Sequence, residues 1–297
     1  MGLERSISLP EKYPDTFLAR SLLLGSAEML YCQKMAFLDT SAGKIHYEKT
    51  GQGPALVMLN GGPGIDLAYM QAGLSFLSKW RTLYFFDQYG CGQDSNLPCG
   101  ADLTKTVNHA CAFISELGLD PKSIGLLGHS FGAPIALEMM GKLLPLRELI
   151  FLNPVPPTAK RWGEVRNDIS AEDRACLQEL GSERTPENGV KAIEIYSKYY
   201  CETWPTKVSF RYGAFDPVLC EDVQQSMGDF DLRASLKLIP KKSLLVTGEK
   251  DFIFPALLSD YEPFFSTKIE IEGGKHMPFL DRPQEFSKAV SKYFEGF

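Results

Sequence analysis

Ser123-Ile124-Gly125-Leu126-Leu127-Gly128-His129-Ser130-Phe131-Gly132 joins a short apolar run to a G-x-S-x-G sequence, and Phe131 to Lys142 then continues with helical character. Ser123 to Leu127 reads as a strand buried on both faces. A serine held between glycines at a strand-to-helix junction can adopt a strained, tight turn, which lifts its Oγ over the carboxyl edge of a sheet. The five residues alone are a weak signal, since serine and glycine are common in turns. The strand before them and the helix after them supply the context that such a nucleophile turn requires.

On either side of this junction, β-rich runs alternate with helical periodicity, as in βαβ units with a parallel sheet. Lys44 to Lys49, Ala55 to Leu59 and Arg81 to Asp87 read as strands. Leu103, Val107, Ala110, Cys111, Ile114 and Leu117 recur at spacings of three and four, so one helical face is apolar, and Gly118 closes that helix. Leu146 to Leu152 is the next strand, and Ser243 to Thr247 and Lys268 to Ile271 resume the series before a final helix from about Pro283 to Phe294. Between them, Val155 to Ser235 holds prolines, Trp162, Trp204 and helical stretches but no strand of the series. The expected organisation is an α/β core over residues 35–154 and 236–297, a helical cap over 155–235 inserted after the sixth strand, and an N-terminal extension over 1–34, helical around Thr16 to Lys34. The central sheet is predicted to be mostly parallel, with helices on both faces.

The chain has 297 residues, 44% hydrophobic and 23% charged, which excludes disorder, collagen and a disulfide-stapled miniature. A chain of this length can bury roughly three quarters of its unfolded surface, so no metal or staple is needed to hold it together. The net charge is −6 and the basic residues are scattered, which argues against nucleic acid as a partner. The cysteines at 32, 91, 99, 111, 176, 201 and 220 form an odd set without a C-x-x-C pair, and read as mostly buried thiols in a reducing compartment. No apolar run of about 18 residues is present, so no integral membrane segment is expected. Phe17 to Leu24 contains Arg20 and lies too deep for a signal peptide, so the expected location is cytoplasmic. Met1-Gly2 with Ser6 satisfies the short myristoylation pattern, which arises often by chance.

A serine hydroxyl needs a base to take its proton. Of the four histidines, His46 sits in an early strand, His109 on a helix, and His129 directly precedes the serine. His276 follows the last strand in Gly273-Gly274-Lys275-His276-Met277-Pro278, a loop that returns to the same sheet edge, and it is the expected base. The third group must be a carboxylate that fixes the imidazole tautomer. Asp251, after the strand Ser243 to Thr247, lies between serine and histidine in chain order and is preferred over Glu249, whose place nearer the strand aims it elsewhere. Asp87 ends an earlier strand and reads as a turn residue. Backbone donors for an oxyanion are expected from Phe131 N–H, at a helix start whose dipole assists, and from Gly62 in Asn60-Gly61-Gly62-Pro63-Gly64. A triad of this kind implies no metal and no organic cofactor.

These motifs carry a resemblance. NGGPG, Asp87-Gln88-Tyr89-Gly90-Cys91-Gly92-Gln93-Asp94-Ser95, GHSFG, GEKD and KHMPF together resemble the α/β-hydrolase superfamily, and in it the prolyl aminopeptidase (proline iminopeptidase) branch, over about residues 38–295. The resemblance implies the α/β-hydrolase fold and a cap whose acidic residues hold a substrate's free amine. Glu202, after Tyr199-Tyr200-Cys201, and Asp229, before Phe230, resemble those positions, and Asn60 and Gly61 fall in a loop that lines the pocket. Asn60 stands where the branch has histidine, Tyr89 where it has arginine, and one residue is inserted before Ser95.

The first functional expectation is therefore a serine hydrolase releasing an N-terminal residue from a small peptide or amide. A second keeps the machinery for an ester, lactone or carbon–carbon bond of a small metabolite. A third is a non-catalytic ligand-binding protein on the same scaffold.

Overall fold

The computed structural model describes residues 34–94, 100–165, 169–183, 185–202, 216–253 and 258–295. Eight strands form one sheet: β1 (Lys34–Thr40), β2 (Gly43–Thr50), β3 (Ala55–Leu59), β4 (Thr82–Phe86), β5 (Gly125–His129), β6 (Glu148–Leu152), β7 (Ser243–Gly248) and β8 (Thr267–Ile271). Their order is β1-β2-β4-β3-β5-β6-β7-β8. β1, β2 and β4 pair antiparallel, and every pair from β4 to β8 is parallel.

The central strands are continuously apolar because both faces are covered, and alternate side chains go to opposite sides. Val57, Leu59, Leu126 and Phe151 join one core with Phe113 of α2 (Leu103–Glu116) and Ile135 of α3 (Gly132–Leu143). Leu56, Met58, Leu127 and Ile150 join the other, with Tyr69 of α1 (Ala68–Leu74) and Phe286 of α10 (Pro283–Glu295). The insertion between β6 and β7 carries α4 (Ala159–Val165), α5 (Ala171–Gly181), α6 (Pro186–Tyr200), α7 (Pro217–Met227) and α8 (Arg233–Leu236). Its two ends lie side by side: Ala159 N–H donates to Phe230 O, Leu232 N–H donates to Pro157 O, and Thr158 bridges Asp231. A short α9 (Pro278–Asp281) precedes α10.

One strand was not anticipated. The sequence reading placed no strand before Lys44, yet Lys34–Thr40 pairs along its whole length with β2. It is an edge strand, held by main-chain bonds to one neighbour; in its apolar stretch Met35-Ala36-Phe37-Leu38, Phe37 is 49% exposed while Leu38 packs against the core. The helical reading of Thr16 to Lys34 otherwise falls outside the described residues, as do Ser95, Trp204, Cys32 and Cys99. The five described cysteines are free thiols, with Cys91, Cys201 and Cys220 buried. Among the described residues, no helix is long and apolar enough to cross a membrane.

The topology positions the site. From β3 the chain moves outward to β4, then returns to β5 on the other side of β3, so the connections diverge between β3 and β5. In open α/β sheets the crevice at such a divergence, outside the carboxyl ends of the strands, takes the ligand. Register sets Leu59 beside Gly128, His129 beside Leu152, and Leu152 beside Val246. The loops after β3, β5, β6 and β7 therefore leave the sheet at one edge.

Candidate active site

Ser130 occupies the turn between β5 and α3 with φ +51°, a left-handed conformation that costs a non-glycine residue energy unless its surroundings impose it. Three hydrogen bonds impose it. Ser130 N–H donates to Leu152 O at 3.0 Å, and its carbonyl accepts from Ala133 N–H and Val155 N–H, each at 3.1 Å. A Cβ at position 132 would collide with the Leu59 carbonyl oxygen, so glycine there lets α3 start hard against β3. Phe131 is the N-cap of α3, where the first backbone N–H groups have no partner within the helix and carry the positive end of its dipole.

His276 and Asp251 meet from the loops after β8 and β7. His276 Nδ1–H donates to Asp251 Oδ1 at 2.9 Å, with both residues 2% exposed. Asp251 Oδ1 also accepts from Ile253 N–H at 3.1 Å, and Oδ2 accepts from the side-chain amide of Asn153 at 2.6 Å. A carboxylate accepts only, so Nδ1 holds its hydrogen and Nε2 is the nitrogen left to take a proton. The imidazole lies among rings, with centroids 4.5 Å from Phe252, 4.9 Å from His129 and 5.1 Å from Tyr200. The cap reaches this loop directly: Met277 N–H donates to Tyr200 O at the end of α6.

A second network joins the loop after β3 to the same place. Gly61 N–H donates to Tyr69 Oη at 2.5 Å, Tyr69 Oη meets His129 Nδ1 at 2.9 Å, and His129 Nε2 meets the His276 carbonyl at 3.0 Å. A carbonyl only accepts, so the His129 hydrogen is on Nε2 and Nδ1 accepts from the Tyr69 hydroxyl. Burial, followed by the neighbouring His276, holds the His129 pKa well below the ordinary 6.5, in keeping with a neutral ring. Burial raises the pKa of Tyr69, which keeps its proton. The Gly61 N–H is thus engaged, while Gly62 of the same loop has φ +110°. A Cβ at position 61 would approach His129 Nδ1 to 2.8 Å and Ser130 Cβ to 3.1 Å, so only glycine fits.

Ser130, Asp251, His276, Phe131, Gly61 and Gly62 therefore lie on adjoining loops at one sheet edge. Other expected site residues are engaged elsewhere. The Asn60 amide donates to Phe86 O at 3.4 Å, along the sheet. Glu202 is exposed and ion-pairs with Arg282, whose hydrogen bond and charge lower its pKa. Asp229 is exposed and lines a surface cavity of about 430 Å³ with Arg161, Asp231, Arg233 and Asp260. The remaining candidates have structural places: His109 stacks near Phe86, Glu249 accepts from Gly273 N–H, and Asp87 binds His46 and the N–H groups of Leu67 and Gln93. Tyr69 escaped the sequence reading because nothing local marks a tyrosine eight residues beyond Gly61. Its partner His129 is adjacent to the nucleophile turn, and that was the available signal.

A sequence profile described as the alpha/beta hydrolase family matches residues 56–289. A proline iminopeptidase of Saccharolobus solfataricus is 31% identical over 279 residues, covering 84% of this chain and 87% of its own. A proline iminopeptidase of Heyndrickxia coagulans is 25% identical over 288 residues, covering 88% and 98%. Among solved structures, an esterase from Exiguobacterium antarcticum superposes with a TM-score of 0.69 at 20% identity, over 88% of this chain and all of its own, a likeness of fold alone.

Proposed function

We propose that this chain, which belongs to the alpha/beta hydrolase family and to its prolyl aminopeptidase-like branch, hydrolyses a small amide or ester through Ser130, His276 and Asp251. His276 Nε2 takes the Ser130 proton as Oγ attacks the substrate carbonyl, and Asp251 stabilises the imidazolium that forms. The N–H groups of Phe131 and Gly62 bind the oxyanion. As the tetrahedral intermediate collapses, His276 gives its proton to the leaving group and an acyl-Ser130 remains. Water, deprotonated by His276, then releases the acid. Near-complete burial of the three side chains keeps bulk water from weakening these interactions.

The observation that supports this reading most is the 2.9 Å His276–Asp251 pair on a loop whose carbonyl is bound by His129, the residue before Ser130. Ser130→Ala is the test. It is expected to lower kcat by several orders of magnitude, on the order of 10⁶, and to abolish labelling by a fluorophosphonate probe. Full turnover in that variant would refute the mechanism.

The branch suggests an N-terminal residue of a short peptide or amide as the acyl group. A second reading, an ester or other small metabolite, is favoured by the Glu202–Arg282 pair, because a carboxylate already neutralised by a guanidinium is a poor receptor for an ammonium group. The double substitution Glu202→Gln with Asp229→Asn separates the two. If neither carboxylate holds an amine, kcat/KM on an aminoacyl amide stays within about threefold; if they do, it falls by ten- to a hundredfold, about 1.4–3 kcal/mol of lost binding.

A further inference from the structure

We propose that Asn153 is a positioning residue for the hydrolytic triad, holding the Asp251 carboxylate on the His276 imidazole; this rests on the mechanism proposed above. Asn153 directly follows β6 and is fully buried. Its φ of +45° makes it, with Ser130, one of the two non-glycine residues with positive φ among the described residues. Asparagine tolerates this conformation better than most side chains, and its N–H is fixed on Val246 O at 2.8 Å.

The side chain spans the gap between the loops after β7 and β8. Nδ2 donates to Asp251 Oδ2 at 2.6 Å and to Lys275 O at 3.3 Å. Both partners only accept, so chemistry fixes the amide with its nitrogen toward them, and its oxygen is left elsewhere. Asn153 Oδ1 is buried and has no hydrogen-bond partner among the described residues. A buried acceptor without a partner costs stability, so the fold tolerates a loss here in exchange for two bonds at the triad. One bond orients the carboxylate whose other oxygen takes the His276 hydrogen. The second ties down the residue preceding His276. The arrangement matches the usual support of a functional histidine, in which the carboxylate that holds it is held in turn.

Titratable groups facing the amide and Asp251 are His276 from the loop after β8 and Tyr200 from α6. Asn153→Gly keeps the backbone conformation and removes the amide. Asn153→Asp places a second carboxyl beside Asp251, where the two must share one proton. While that proton is held, the introduced group can donate to Asp251 as the amide did. Once it is lost, like charges repel across the site.

The test measures kcat and KM with a chromogenic ester or aminoacyl substrate, the fluorophosphonate labelling rate from pH 5 to 9, and thermal unfolding. N153G is expected to lose about ten- to a hundredfold in kcat and labelling rate with KM little changed. N153D is expected to lose labelling rate relative to the native enzyme as pH rises, as the shared proton of the two carboxyls is lost. Native rates and a native pH profile in both variants would overturn the proposal, even if their unfolding midpoints fall. Labelling that persists in Ser130→Ala would instead overturn the hydrolytic mechanism beneath it.

Discussion

Two buried histidine–aspartate pairs stand in this chain at almost the same distance, His46–Asp87 at 2.8 Å and His276–Asp251 at 2.9 Å, each through Nδ1. Their surroundings differ. Asp87 binds the main chain of two loops, at Leu67 and Gln93, and its histidine lies on β2, remote in topology from the nucleophile turn. Asp251 sits between a side-chain amide and an imidazole whose own carbonyl is bound by His129, next to Ser130. A histidine–carboxylate contact alone therefore does not identify a catalytic base. What separates the pairs is a strained serine on the adjoining loop, a feature of the sheet's order rather than of either pair.

The contrast can be broken from either side. The largest effect is expected at Asp251: Asp251→Asn should lower kcat on the order of 10⁴-fold with the fold intact, because the wrong tautomer is then favoured, and steady-state kinetics would show it. His46→Ala should behave in the opposite way. Removing one partner of a buried pair costs roughly 3–5 kcal/mol, so denaturant unfolding should shift strongly while kcat stays within a few fold. Equal losses of kcat at both sites would erase the distinction.

A smaller effect sharpens the picture near Ser130. The pKa of His129 lies below the 6.5 of an unfolded chain, chiefly through burial. Between those two values the unfolded state binds more protons, so stability is full above about pH 6.5 and declines as pH falls, by up to about 1.4 kcal/mol per pH unit. Unfolding midpoints from pH 7.5 to 5 should show this decline, and His129→Gln should flatten it. A midpoint equally steep in that variant would assign the acid sensitivity to other groups.

Much of this molecule was legible without coordinates. Continuously apolar runs such as Ala55–Leu59 mark strands covered on both faces, and the G-x-S-x-G turn announces its own backbone because glycine permits the close approach at position 132. The order of serine, aspartate and histidine followed from which strands precede them. β1 was not read from the sequence, because its one apolar stretch, Met35-Ala36-Phe37-Leu38, is short and directly follows the segment Thr16 to Lys34 that reads as helical. Nor were Tyr69 and Asn153, whose significance lies in partners 60 and 98 residues away. Glu202 illustrates the converse: a carboxylate after an aromatic segment resembles an amine receptor in sequence, yet its charge is matched by Arg282, 80 residues on.

Local pattern, then, determined the alternation of strands and helices and the G-x-S-x-G turn, because these depend on side-chain period and backbone freedom over a few neighbours. Tertiary structure alone decided that His46 and Asp87 also pair, which glycine N–H is engaged by a tyrosine, and which carboxylates are already neutralised. Hydrogen bonds and charge pairs of that kind depend on distances in space, and those are set only when the sheet brings distant loops to a common edge.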